Sequence, residues 1–393
     1  MKSVFVIRVV GLTCLAVGAL RLWNGQQQSL ADAVVGAQSP EPAPRLPRDQ
    51  LLVYRDPEGD LRPIQGTAEW PRRRREILAG MRQIMGELPT DEAKRVPLDV
   101  EVVREDDCGS YLRQLITYAS EPGSRVPAYL CLPKTVLGTK GRRVPAVLCL
   151  HGTDDVVGHG TVVGLGSRPN RQYAAELAER GFITLAPSYP RLAKYQPDLA
   201  GLGWQSGTLK AVWDNQRGLD YLSTLPEVDA TRGFGAIGHS LGGHNSVYTA
   251  VFDQRITMVV SSCGLDSFLD YYGGDPKRWQ PGQGWTQTLY MPRLAEYHNR
   301  LDQIPFDFQE LIGALAPRRV LLIAPTRDHN FQATSVDRIA RAAGEVYALF
   351  GHPERLTVLH PDCEHDFPNE VREQAYQVLA EVLRPEPGPD AKP

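Results

Sequence analysis

Apolar residues recur along the chain in two rhythms. From Pro71 to about Leu88, Ile77, Leu78, Met81, Ile84, Met85 and Leu88 return at i, i+3 and i+4 spacing, which predicts a helix opened by Pro71. The arginine run Arg72–Arg75 at its start reads as a solvated face. Three short runs follow, Leu98–Val103, Leu112–Tyr118 and Val126–Leu132, whose close spacing predicts an antiparallel meander.

From Val144 the rhythm changes. Short, mainly apolar runs at 145–150, 182–186, 235–238, 256–261, 320–324 and 356–359 alternate with amphipathic segments at 172–181, 206–225, 332–350 and 368–383. Strands apolar on both faces need cover on both faces, and crossover helices supply it. The pattern therefore predicts an α/β fold with a mostly parallel sheet and helices on both faces. In such a sheet the site lies at the strands' carboxyl ends. The 264–317 stretch is far longer than a crossover requires and is expected to form a cap insertion carrying Tyr271, Tyr272, Trp279, Trp285, Tyr290 and Tyr297.

Composition adds the two ends and removes some partners. Lys2 and Arg8 precede the apolar run Val9–Leu20, too short to span a bilayer but suited to a signal peptide, with cleavage expected after Ala33 or Ala37. The expected organisation is a signal peptide over 1–37, a linker and N-terminal extension over 38–70, one α/β domain over 71–385 and a flexible tail over 386–393. An uncleaved anchor is the alternative for the first segment. With 42% hydrophobic and 23% charged residues and a net charge of −3, the chain shows no general attraction for nucleic acid or anionic lipid. No stable membrane insertion is expected after cleavage. The six cysteines show no disulfide or zinc spacing, and Cys149 reads as a small buried apolar residue.

The chemistry concentrates at Gly238-His-Ser-Leu-Gly-Gly243, a G-x-S-x-G motif between a strand run and a helical segment. A strand turning sharply into a helix crowds its own backbone, so glycines must flank the turn, and the serine then projects alone. Ser240 is the candidate nucleophile. A serine hydroxyl needs a base, and the base an orienting acid. Asp328 and His365 follow the apolar runs at 320–324 and 356–359, giving the order serine, acid, histidine. A histidine with an ordinary pKa of about 6.5 would make activity rise through neutral pH. Asp266 is the competing acid. Asp366, His360 and His329 read as loop or rim residues, while His239 and His244 read as packing around the elbow. The oxyanion donors are expected from the backbone N–H groups of Leu241 and Thr153, with Gly152 allowing close approach. Lower-ranked candidates for substrate contact are Trp279, Trp285, Tyr290 and Arg327. The alternative for the three aromatics is that they form the cap's own core, and for Arg327 a surface ion pair.

Two other motifs lose on context. Gly233-Phe-Gly-Ala-Ile-Gly238 has the letters of a dinucleotide loop but is itself the strand feeding Ser240. His360-Pro-Asp-Cys-Glu-His365 is one residue too long for H-x-x-E-H, and the group His151, Asp154, Asp155 and His159 reads as a loop. No metal and no cofactor are expected.

With these residues in place, residues 120–383 resemble the α/β-hydrolase superfamily. Segments 165–173, 238–245, 261–264 and 362–368 look like its dienelactone-hydrolase-like and acetyl-xylan-esterase-like branch. The resemblance implies an eight-stranded core whose first strands are antiparallel. Departures limit it. Dienelactone hydrolases use a cysteine where Ser240 stands, glucuronoyl esterases carry an arginine where Leu241 stands, and the acetyl-esterase pattern has glutamine there. No substrate name therefore transfers. The expectation is a cofactor-independent carboxylesterase acting on a small-molecule or carbohydrate-linked ester. The alternatives are a peptidase of the prolyl-oligopeptidase kind, for which too few residues precede the core to build a propeller, and a non-catalytic binding module.

Overall fold

The computed structural model describes residues 45–91, 94–139 and 141–384. The expected signal peptide and the tail lie outside the described residues. A small hairpin, β1 (Val53–Arg55) and β2 (Leu61–Pro63), precedes helix α1 (Trp70–Met85). The meander is β3 (Glu101–Asp107), β4 (Tyr111–Glu121) and β5 (Ser124–Pro133). Then come β6 (Ala146–Leu150), α2 (Tyr173–Glu179), β7 (Ile183–Pro187), α3 (Gly207–Thr224), β8 (Phe234–His239), α4 (Leu241–Phe252) and β9 (Ile256–Ser262). After the cap, whose last element is α5 (Phe308–Gly313), the chain continues as β10 (Arg319–Ile323), α6 (Ala333–Leu349), β11 (Leu356–Leu359) and α7 (Asn369–Leu383).

Strands β3 to β11 form one sheet in the order β11-β10-β9-β8-β6-β7-β5-β4-β3. The neighbours from β11 to β7 run parallel, and β7-β5-β4-β3 run antiparallel. The sheet has nine strands, one more than the resemblance implies, and each answers to an apolar run. β6, β7 and β8 are buried along their whole length, as strands covered on both faces must be. From β6 the chain crosses to β7 on one side, and from β8 it proceeds to β9 on the other. The crevice between the carboxyl ends of β6 and β8 is thus the switch point where α/β sheets place their ligands.

Three expectations need correction. The first meander strand begins at Glu101 rather than Leu98. It is an exposed sheet edge, so apolar alternation does not mark its limits. The stretch expected as a linker is fixed from Arg45 onward, because two buried carboxylates in the cap draw arginines to it. Arg48 Nε donates to Asp307 Oδ2 at 2.9 Å, and Arg45 pairs with Glu310. The arginine run of α1 is not all solvated either, since Arg73 is buried and donates to Glu310 Oε1 at 2.7 Å.

α3 starts where Ser206 accepts the Leu209 N–H at 3.0 Å, an N-cap of the ordinary kind. It carries a buried charge network under the sheet. Lys210 bonds to Asp214, to Glu121 at 3.1 Å and to Ser120 Oγ at 2.9 Å, and all four side chains are buried. Trp204 Nε1 also donates to Glu121, at 2.7 Å, and the Tyr195 hydroxyl donates to Asp214. Removing the cation alone strips Asp214 of its counter-charge in a medium that cannot solvate it, and leaves Glu121 only that of Lys94 at 3.4 Å. Lys210→Met is therefore expected to cost about 3–5 kcal/mol, read from urea unfolding. A loss below about 1 kcal/mol would mean that water reaches the network.

Candidate active site

Ser240 sits between β8 and α4 with φ 55° and ψ −123°, a left-handed conformation costly for a residue with a Cβ. The local backbone enforces it: the Ser240 N–H donates to Ser262 O at 2.8 Å, and its carbonyl accepts the His244 N–H at 3.0 Å. The flanking glycines are obligatory. A Cβ on Gly242 would meet Leu150 O at 1.8 Å, and one on Gly238 would meet the Gly242 carbonyl carbon at 2.1 Å.

His365 lies on the loop after β11 and Asp328 on the loop after β10. The His365 Nδ1–H donates to Asp328 Oδ2 at 2.8 Å, which leaves Nε2 as the acceptor for a serine proton. Asp328 Oδ1 accepts the N–H groups of Asn330 at 2.8 Å and Phe331 at 3.2 Å. Burial pushes the Asp328 carboxyl up, but the His365 contact and these two amides outweigh it and hold it below the usual carboxylate range. It is Asp328, not the competing Asp266, that meets the histidine. Asp266 is buried with Gln332 N–H on Oδ2 at 3.2 Å, and burial pushes its carboxyl up to about 7.

Ser240 and His365 line one cavity of about 240 Å³ with Gly152, Thr153, Asp154, Thr161, Arg168, Arg171, His239 and Asn330. A larger groove of about 540 Å³ between Asp49–Val53 and α6 holds no nucleophile–base pair. Gly152 follows β6 and approaches Ser240 closely; a Cβ there would stand 3.7 Å from Ser240 Cβ. Its loop is held by His151, whose Nε2 accepts the Tyr189 N–H at 2.9 Å while Nδ1–H donates to Gly152 O at 2.7 Å. Thr153 lines the cavity, and its hydroxyl meets the Tyr290 hydroxyl at 3.1 Å. Leu241 begins α4 with its side chain buried, so the backbone is what it offers the site.

Of the four residues given a lower rank for substrate contact, none lines the cavity. Trp279 is fully buried, edge-on to Phe268 and Tyr271 at ring separations of 5.5 and 5.8 Å, so it belongs to the cap's core. Trp285 stacks on His244 at 4.3 Å. Tyr290 reaches the site through Thr153. Arg327 is exposed and pairs with Asp362 at 2.9 Å. Aromatic content alone could not separate the interior of this insertion from its lining.

Sequence reading placed His239 beside the elbow but did not find what braces the His365 loop. Asp366 turns from the cavity to accept from Arg171 Nη1 at 2.5 Å and Asn170 Nδ2 at 2.6 Å, tying the histidine loop to the segment before α2. His239 packs 4.8 Å from the His365 ring and bonds Ser262 Oγ at 3.2 Å. The Arg-Pro-Asn-Arg run at 168–171 was the only available signal, and nothing local to it names a partner 195 residues away. His360 bonds Ala324 O and Asp337, and His329 is exposed, as loop residues do and are. Asp154 spends its Oδ1 on the N–H groups of Val156, Val157 and Gly158 rather than on a cation.

Comparison with known proteins agrees with this architecture. The sequence profile of the family described as glucuronyl esterase, fungi, matches residues 198–351. YtaP of Bacillus subtilis (strain 168) is 24% identical over 309 residues, covering 77% of this chain and 97% of that protein. Carbohydrate esterase MZ0003, from an unknown prokaryotic organism, is 26% identical over 138 residues, 34% of this chain and 31% of that protein. The glucuronoyl esterase of Solibacter usitatus superposes with a TM-score of 0.67 at 19% identity, covering 86% of this chain and 98% of that one. The CE15 glucuronoyl esterase of Teredinibacter turnerae T7901 gives 0.65 at 19% identity, over 91% and 99%. The fold is that of the α/β-hydrolases. Within that class the similarities are to the esterase branch, whose reaction is the hydrolysis of carboxylic esters.

Proposed function

We propose that this protein is a serine esterase acting on carboxylic esters of carbohydrates, with Ser240 as nucleophile, His365 as general base and acid, and Asp328 as the group that orients the imidazole. The observation that carries the reading is the convergence of Ser240 and a His365–Asp328 pair on one polar cavity. Ser240 Oγ attacks the ester carbonyl while its proton passes to His365 Nε2. The amides of Leu241 and Thr153 stabilise the oxyanion. Collapse of the tetrahedral adduct expels the alkoxide, which takes the proton from Nε2, and leaves an acyl-enzyme. Water, deprotonated by the same nitrogen, repeats the sequence and releases the acid.

The cavity lining favours a sugar over a long acyl chain. Thr153, Asp154, Thr161, Arg168, Arg171 and Asn330 present hydrogen-bonding groups, and no aliphatic or aromatic side chain accompanies them apart from the two histidines. Leu241 brings no cation to the elbow; those at the cavity are Arg168 and Arg171. Matching of the glucuronyl esterase profile makes a uronate ester the first substrate to try. A panel of methyl glucuronate, acetylated xylan, a peptide anilide and p-nitrophenyl esters from acetate to octanoate tests this. The expected order places the sugar esters and acetate at least tenfold above octanoate in kcat/KM, with no peptidase activity. Preference for octanoate would overturn the carbohydrate reading, and cleavage of the peptide alone would overturn the esterase reading.

We also propose that the segment over 1–37 directs export. Among the described residues no helix is long and apolar enough to cross a membrane. Mass spectrometry of the mature chain is expected to find its first residue just after Ala33 or Ala37, and a full-length secreted chain would refute it.

A further inference from the structure

Behind the histidine lies a thiol for which the ester-cleaving steps have no use. Cys263 follows β9 with φ 48° and is 2% exposed, and its Sγ donates to the carbonyl of Asp366 at 3.4 Å. The Cys263 sulfur, an Asp328 carboxylate oxygen and a His365 ring nitrogen lie within 4.8 Å of one another, the one such cluster of potential metal ligands among the described residues. The three donors come from three different loops, after β9, β10 and β11. One is soft, one borderline and one hard, a mixture that selects zinc over magnesium or calcium. Tetrahedral zinc, at about 2.0–2.3 Å from its ligands, sets them roughly 3.3–3.8 Å apart. Closing the set therefore takes a sulfur shift on the order of 1 Å and a parting of the Asp328–His365 pair, now 2.8 Å apart, by about half an ångström.

We propose that Cys263, Asp328 and His365 form a binding site for a thiophilic divalent cation, and that its occupancy switches the esterase off. The nitrogen that faces Asp328 is Nδ1. A cation there takes the thiolate, the carboxylate and Nδ1. The thiol proton goes to solvent, and the proton that Nδ1 carried passes to Nε2. One proton is released per cation bound. The consequence is chemical rather than steric: Nε2 becomes a donor and can no longer take the proton of Ser240. Asp328 is withdrawn from the imidazole at the same time.

Inhibition rests on the esterase reading, whereas binding does not, so the two are measured separately on the purified full chain. Cobalt(II) is the binding probe, because a cysteine ligand produces a thiolate-to-cobalt absorption in the near ultraviolet. Wild type is expected to show that band at one equivalent, to lose it when zinc is added, and to lose at least tenfold in turnover at the same zinc concentration. Cys263→Ser is expected to lack the band and to require at least tenfold more zinc for half-inhibition, measured against its own zinc-free rate. Cys263→Ala serves if the serine variant does not fold. Absence of the band from wild type overturns the site even if the protein proves to have no esterase activity. A band that persists without Cys263, or an unchanged zinc response in the variant, places the cation elsewhere and overturns it equally.

Discussion

Replacing Ser240 by alanine is expected to lower kcat on any ester the wild type cleaves by roughly ten-thousand- to a million-fold, with the fold intact. Alanine keeps the Cβ, so the left-handed backbone at φ 55° is no more strained than before, and the main-chain bonds to Ser262 and His244 are untouched. What disappears is the one oxygen that becomes covalently bound. Residual activity would come from the oxyanion amides and the bound geometry acting on water. Wild type is expected to become labelled by a fluorophosphonate at Ser240 and the variant not at all, with thermal melting unchanged within about 3 °C. Asp328→Asn tests the same geometry one atom further back. An asparagine amide in that place donates where a carboxylate accepts, which turns the imidazole to the wrong tautomer, and the expected loss is roughly thousand- to ten-thousand-fold. A Ser240→Ala protein that retained more than a hundredth of wild-type turnover would require another nucleophile.

The relation between sequence and structure differs from one part of the molecule to another. The parallel strands were legible because burial leaves few polar residues in them, and β11 spans the same four residues as its apolar run. Ser240 was legible because the elbow imposes a local steric demand: Gly238 and Gly242 leave no room for any side chain. Asp328 and His365 were found by rule, from their places after consecutive apolar runs. The rest depended on contacts between segments far apart in the chain. Arg45, Arg48 and Arg73 gather on Asp307 and Glu310 more than 230 residues away, a distance at which the sequence carries no periodic signal. Trp279 and Tyr290 have the same composition signature, yet one fills the cap and the other reaches Thr153. Cys263 offers no spacing to notice, because its companions lie on two other strands' loops.

Acidification from pH 7 to pH 5 is expected to remove on the order of 4 kcal/mol of stability, a large share of what a typical domain possesses. Three histidines around the site are buried, and His159 is half-buried with both ring nitrogens out of solvent. Burial holds His151 down to about 4, His159 and His244 down to about 3, and His239 well below its ordinary value. In the unfolded chain each takes up a proton near pH 6.5, whereas in the folded protein it stays neutral. The unfolded state therefore binds more protons below that pH. The stability from a depressed pKa is complete above about 6.5 and is lost progressively as pH falls towards the folded values. Over this interval His151, His159 and His244 contribute about 2 kcal/mol each, roughly 6 together, and His239 acts in the same direction. Asp266 works the other way. Its folded carboxyl is raised to about 7, so it takes up its proton in the folded state first and returns about 2 kcal/mol. Urea unfolding at the two pH values measures the net loss, and His244→Phe isolates one contribution. His244 stacks on Trp285, and neither ring nitrogen has a hydrogen-bond partner, so phenylalanine fills the same space without the titration. The variant is expected to lose about 2 kcal/mol less than wild type between pH 7 and pH 5. An identical loss in both would mean that solvent reaches the ring, and that the packing of the cap over α4 is looser than the stacking on Trp285 implies.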